Sequence, residues 1–197
     1  GFVRKPQTSS SGTMGTPGWT DNGFSFANAA YFLGTGFASG WATNITIEMT
    51  GNFPNADRHT NFPNYFCNVD GDEFNIWNPK NDGKAGLTFK DDPADTGSNN
   101  RTSVSSWSGR NFSCFMSDTQ KGIYVEGVAV STKTRTNKKA IPGTSYYIGD
   151  TPANMQRTIN GTMNAFRLYN RALTAEEIQQ NWQLDQYRFI TGIPVTN

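Results

Sequence analysis

The stretch from Asn160 to Trp182, NGTMNAFRLYNRALTAEEIQQNW, constrains this chain more than any other. It reads as a strand that passes through a tight turn at Asn170 and Arg171 into a helix whose start is specified several times. Thr174 is a good N-cap, because its hydroxyl can accept from the free N–H groups of the first turn, and Glu177 three residues later completes a capping box. Leu173 and Ile178 stand at the two positions that a hydrophobic staple joins. Ile178 and Trp182, four apart, share one face, and Phe189 extends that face if the helix lasts so long. Such a helix must lie on another element.

The pattern G-x-M-x-x-F-R-L-Y-N-R-A-L followed by T-x-E-E-I resembles the end of laminin-G-like, concanavalin A-like domains. The resemblance implies an all-β fold: a two-sheet antiparallel β-sandwich, a jelly roll, whose last long strand runs into one short C-terminal helix packed on the sandwich edge. Ile45 to Glu48, ITIE, is similar to the first long strand of such domains, GIYVEGVAV to their Y-V-D/E-G hairpin, and YYIG at 146 to 149 to a short strand that often follows. The resemblance spans residues 23 to 189. It puts Met163 and Phe166 both inward although they are an odd number apart, which a β-bulge near Asn164 and Ala165 would reconcile. The fold carries lectins, glycosidases, adhesion modules and structural modules, so it implies no ligand by itself.

A length of 197 residues suits one all-β domain, and an aromatic share of 13% with abundant Gly and Asn favours many short strands joined by tight turns. A net charge of +1 gives no global field to recruit nucleic acid or an anionic membrane. No apolar run is long enough to span a bilayer and no signal peptide is visible, so a targeting segment of an exported parent would lie outside this sequence. Residues 1 to 18, rich in Ser, Thr, Gly and Pro, read as a linker or N-terminal arm, and 19 to 197 as the sandwich domain.

Further strands are expected at FSF and YFL after Gly23. At Asn44 to Thr50, Ile45, Ile47 and Met49 alternate with Thr46, Glu48 and Thr50, a period-2 strand with one buried face. NYFCNV and DEFNIW flank Asp70-Gly71, a favoured two-residue hairpin turn. Gly86 to Phe89, Thr102 to Trp107 and Asn111 to Met116 are further strands, and Glu126-Gly127 is the turn of a second hairpin. Residues 133 to 144, with Lys133, Arg135, Lys138 and Lys139, read as a solvated loop.

The inventory argues against an enzyme. Glycosidases flank the scissile bond with two carboxyl groups, and on this sandwich those usually alternate along one strand; no such run occurs, and Asp70, Asp72 and Glu73 straddle a turn where Asp is at home. One histidine, His59, in a loop, with Cys67 and Cys114 outside any recognisable catalytic motif, gives a nucleophilic triad or a zinc site nothing to build on. Both cysteines sit among apolar neighbours and read as buried free thiols, with a disulfide between them the alternative. Calcium stays open by way of the acidic loop, where Asp91, Asp92 and Asp95 are candidate ligands, since laminin-G-like and lectin sandwiches often hold Ca²⁺ with loop carboxylates and carbonyls.

A sugar site needs rings for C–H faces and polar side chains for hydroxyls. Trp77 and Asn78 with Asp82 form one such cluster, and Trp107 with Arg110 another; core packing is the competing use of each Trp. The expectation is a non-catalytic carbohydrate- or surface-ligand-binding adhesion module of a larger extracellular, cell-surface or virion protein. The alternatives are a structural or protein-interaction module, as in a phage capsid accessory or tail protein, and an unusual glycoside hydrolase of the same fold. Its partner is then a glycan, a cell-surface ligand or other subunits of a larger assembly.

Overall fold

The computed structural model describes residues 2–5, 8–9, 12–13, 18–21, 23–26, 31–35, 44–52, 64–68, 75–77, 86–90, 100–103, 110–135, 145–149, 159 and 161–191. The strands in chain order are β1 (Phe2–Lys5), β2 (Thr8–Ser9), β3 (Gly12–Thr13), β4 (Gly18–Thr20), β5 (Gly23–Phe26), β6 (Tyr31–Thr35), β7 (Ile45–Asn52), β8 (Asn64–Asn68), β9 (Asn75–Trp77) and β10 (Gly86–Lys90). They continue with β11 (Asn100–Ser103), β12 (Asn111–Met116), β13 (Gln120–Val125), β14 (Val128–Thr134), β15 (Ser145–Ile148) and β16 (Gly161–Tyr169). Helix α1 (Ala175–Asp185) follows and passes into a π-helical turn over Gln186–Thr191.

These strands make two seven-stranded antiparallel sheets, in the orders β14-β13-β12-β7-β16-β5-β4 and β1-β6-β15-β8-β9-β10-β11, beside a small β2-β3 pair. Aromatic contacts join the two sheets. Tyr65 of β8 meets Phe112 of β12 edge-on at 5.0 Å, Phe32 of β6 meets Phe24 and Phe26 of β5, and Phe166 of β16 stacks on Phe66 and Tyr146. Ile45, Ile47 and Met49 of β7 sit in this core fully buried, each worth about 1.5 to 3 kcal/mol relative to exposure.

The sandwich and its short C-terminal helix agree with the sequence reading, and so does the bulge. The pairing of β16 with β7 shifts between Met163 and Ala165, which turns both Met163 and Phe166 to the core. Glu126 and Gly127, with φ of 50° and 76°, form the expected hairpin turn.

Three expectations need correction. β7 is buried on both faces, because Thr46, Glu48 and Thr50 are as enclosed as the apolar set. The β8–β9 turn expected at Asp70-Gly71 lies outside the described residues; Asn64 pairs with Trp77 and Cys67 with Asn75, with one register shift between them. The strand expected over Thr102 to Trp107 starts two residues earlier, at Asn100, where β10 supplies its partners; residues 104 to 107 lie outside the described residues. Phe2–Lys5, expected in a loosely held arm, pairs with Tyr31–Gly34 as the outermost strand of the second sheet.

Candidate functional site

Trp77 is the last residue of β9, paired with Asn64 on β8 and Thr88 on β10, and it follows Ile76, which is fully buried. Asn78, Asp82 and Trp107 lie outside the described residues, as do His59 and the calcium candidates Asp91, Asp92 and Asp95. Arg110 is exposed where the chain enters β12, and its carbonyl accepts from the Gly51 N–H at 2.9 Å. Trp77 thus belongs to the second sheet and Arg110 to the first. Among the described residues no group of three or more His, Cys, Asp or Glu side chains is placed to hold a metal ion. Cys114 is a buried free thiol, pushed far above its ordinary pKa by desolvation, and Cys67 takes its place in β8 opposite Tyr147 and Asn75.

The richest polar assembly among the described residues lies on the outer face of the first sheet, under α1. Successive outward residues of β7 each hold the helix or the segment leading to it. Thr46 donates to the Arg171 carbonyl and accepts from the Leu173 N–H, both at 2.9 Å. Glu48 accepts from Ser113 Oγ of β12 at 3.1 Å and from Asn181 Nδ2 of α1 at 2.8 Å. Thr50 donates to Asp185 Oδ2 and accepts from Asn111 Nδ2 at 2.8 Å, while Asn111 Oδ1 has no partner among the described residues. Arg167 of β16 grips Asp185 with both guanidinium N–H groups, one at 2.7 Å, and the Tyr169 hydroxyl accepts from Asn181 at 3.0 Å.

The electrostatics follow from enclosure. Glu48 and Asp185 are 1% and 0% exposed. Desolvation raises the pKa of Glu48 in spite of the opposing pull of Arg167, Ser113 and Asn181. Arg167 is raised, chiefly by its hydrogen bonds to Asp185. Tyr169 is raised by burial and by the charge of Glu48.

The start of the helix is built differently. Thr174 Oγ1 accepts from the Glu177 N–H at 3.2 Å, and Glu177 accepts from the Thr174 N–H at 2.9 Å. Arg171 clamps the same carboxylate with two bonds of 2.7 Å, and with the Thr174 N–H holds its pKa down to about 2. Leu173 and Ile178 are buried as the staple requires. Trp182 completes the seat over the β13–β14 turn, where a Cβ on Gly127 would come within 3.0 Å of its ring.

Chemically, this assembly can seat a helix but cannot reach a substrate. A general acid must touch the group it protonates, and these two carboxylates are closed off by α1. Sequence reasoning picks out none of Glu48, Asn111, Ser113, Arg167, Asn181 or Asp185 for a role in a site. One signal is present: Asp185 lies seven residues after Ile178 and three after Trp182, an acid on the helix's apolar face.

A search of curated protein sequences finds no match. Among solved structures, the fold is similar to domain 4 of an extracellular GH43 arabinanase from Geobacillus stearothermophilus in complex with arabinotriose. The TM-score is 0.62 at 14% identity, over 91% of this chain and 86% of that one. A heptameric SAP-like pentraxin from Limulus polyphemus matches with a TM-score of 0.53 at 20% identity, over 70% of this chain and 69% of that one. A putative carbohydrate-binding protein from Bacteroides ovatus matches with a TM-score of 0.61 at 18% identity, over 79% of this chain and 45% of that one. At these identities the likeness speaks to fold. The sequence profile of the concanavalin A-like lectin/glucanases superfamily matches residues 40–179, and with the sandwich, the bulged last strand and the capped helix now in view, the chain belongs to that superfamily.

Proposed function

We propose that this chain is a non-catalytic binding module that takes a carbohydrate or another surface ligand and serves within a larger extracellular, cell-surface or virion protein. The observation that carries the reading is the fate of two carboxylates among the described residues: Glu48 and Asp185 lie together, yet both are sealed under α1 and committed to holding it. The fold then offers scaffold and loops, the usual place for recognition. Arabinotriose in the arabinanase domain is one ligand class carried on a similar sandwich. Trp77 with Asn78 and Asp82 remains the proposed stacking platform, with Trp107 and Arg110 the second cluster.

A glycan array probed with the intact chain, with calcium and with a chelator, tests the proposal. Binding lost in Trp77→Ala at an unchanged thermal midpoint supports the platform. A loss of about 3 to 5 kcal/mol in stability instead identifies Trp77 as core and moves the platform elsewhere. An array with no binding at all overturns the carbohydrate reading, and turnover of a polysaccharide would overturn the non-catalytic one. A calcium requirement would draw Asp91, Asp92 and Asp95 into the site.

One observation favours a second reading, a structural or protein-interaction module such as those of phage capsid accessory or tail proteins. β14 stands at the end of the first sheet with Val128 and Val130 65% and 42% exposed, an edge on which another chain can pair.

A further inference from the structure

Among the described residues, three groups of the charged classes meet beneath α1: Glu48 from β7, Arg167 from β16 and Asp185 from the helix itself. The other groups facing Glu48 are Ser113 of β12, Tyr169 of β16 and Asn181 of α1, with Asn111 of β12 next along the sheet at Thr50; none adds a positive charge. The cluster therefore holds two carboxyl groups against one guanidinium. Asp185 takes that guanidinium through two hydrogen bonds, which leaves the charge of Glu48 in surplus where water scarcely reaches. A surplus charge in such a place is unfavourable, and a carboxylate can shed it by binding a proton.

We propose that the seating of α1 is proton-linked: Glu48 binds a proton more readily with the helix docked than with it lifted, so falling pH holds the helix more firmly on the sheet. The bonding permits it. A proton on the oxygen that faces Ser113 is met by a hydroxyl that rotates from donor to acceptor, while the other oxygen still accepts from Asn181 of the helix. The helix supplies Asn181 and Asp185, so lifting it returns Glu48 to water beside Arg167, where the ionised form is favoured. The docked state consequently binds the proton more tightly than the lifted state, in keeping with the upward shift that burial imposes on Glu48. Lifting becomes rarer by up to about tenfold per pH unit as the pH falls through the window between the raised docked value and the ordinary one, and is level outside it.

Hydrogen exchange of the α1 amides from pH 4.5, the ordinary Glu value, up to about pH 8, corrected for intrinsic rates, tests this on the intact chain. The expected result is an opening constant for Ala175–Asp185 that rises with pH, by at most about tenfold per unit, in the natural chain and stays level in Glu48→Gln. The same slope in both, or no slope in the natural chain, overturns the proposal. Should Glu48→Gln fail to fold, the carboxyl-carbon NMR titration of the unaltered protein decides: a Glu48 midpoint above 4.5 supports the linkage, and one at or below 4.5 overturns it.

Discussion

Helix α1 is fastened at its start by neighbours in sequence and along its underside by residues from distant strands. At the start, Thr174, Glu177 and Arg171 lie within six positions of one another, are open to water, and need nothing from the rest of the fold to meet. Along the underside, Thr50 and Asp185 are 135 positions apart and Glu48 and Asn181 are 133 apart, and both bonds exist only because β7 and α1 are packed together. The first kind of fastening specifies where the helix begins. The second specifies where it goes, since an apolar patch alone would tolerate sliding whereas three polar residues alternating along one strand accept their partners in one register.

The comparison is broken most forcefully from below. Asp185→Ala would leave Arg167 and Thr50 without their acceptor. Removing one partner of a buried pair costs about 3 to 5 kcal/mol, and because the Arg167 side chain is 25% exposed, the lower part of that range is expected. A urea midpoint shifted by less than a Thr174→Ala variant shifts it would show that the underside is not the stronger hold.

Thr174→Ala removes the N-cap and should cost about 0.5 to 2 kcal/mol, read as a lower denaturation midpoint at constant slope. The two losses should add within about 0.5 kcal/mol in the double variant, because the two regions share no partner. A larger coupling would mean that the cap and the seat act as one unit.

The smallest effects are those of pH, and here the two regions should differ in sign. Glu177 is held at about 2, below its ordinary 4.5, so its contribution is complete above 4.5 and fades as the pH falls toward 2. Glu48 is raised, so its charge weakens the fold as the pH rises from 4.5 through its native value. Stability curves of Glu177→Gln and Glu48→Gln against the natural chain should therefore flatten opposite sides of the profile.

The same contrast explains what is legible in the sequence. The cap, the staple, the Glu126-Gly127 turn and the period of β7 are each written within a few neighbouring residues, so local chemistry alone reveals them. The bulge is legible too, once the resemblance puts Met163 and Phe166 on one side. The second buried face of β7 is not, because Thr46, Glu48 and Thr50 look like residues for water until a helix more than a hundred positions away covers them. The start of β11 at Asn100 and the register of β8 against β9 are set by partner strands. The proposed sugar platform rests on residue types alone, with Trp77 the member whose strand position and pairing bear on it.

The bulge in β16 also has an evolutionary reading. Met163 is opposite Gly51 and Ala165 opposite Thr50, so Asn164 is the extra residue of the bulge. A chain lacking Asn164 would keep Met163 and Phe166 inward and Arg167 under the helix, because every remaining pair would stay in step. Elsewhere in a strand, losing one residue turns all that follows to the wrong side. Gly23 stands against the bulge: a Cβ there would run into the Met163 carbonyl and the Asn164 Cα, and its φ of 137° favours glycine whether or not the extra residue is present. The last strand thus has one place where a single-residue gap is silent.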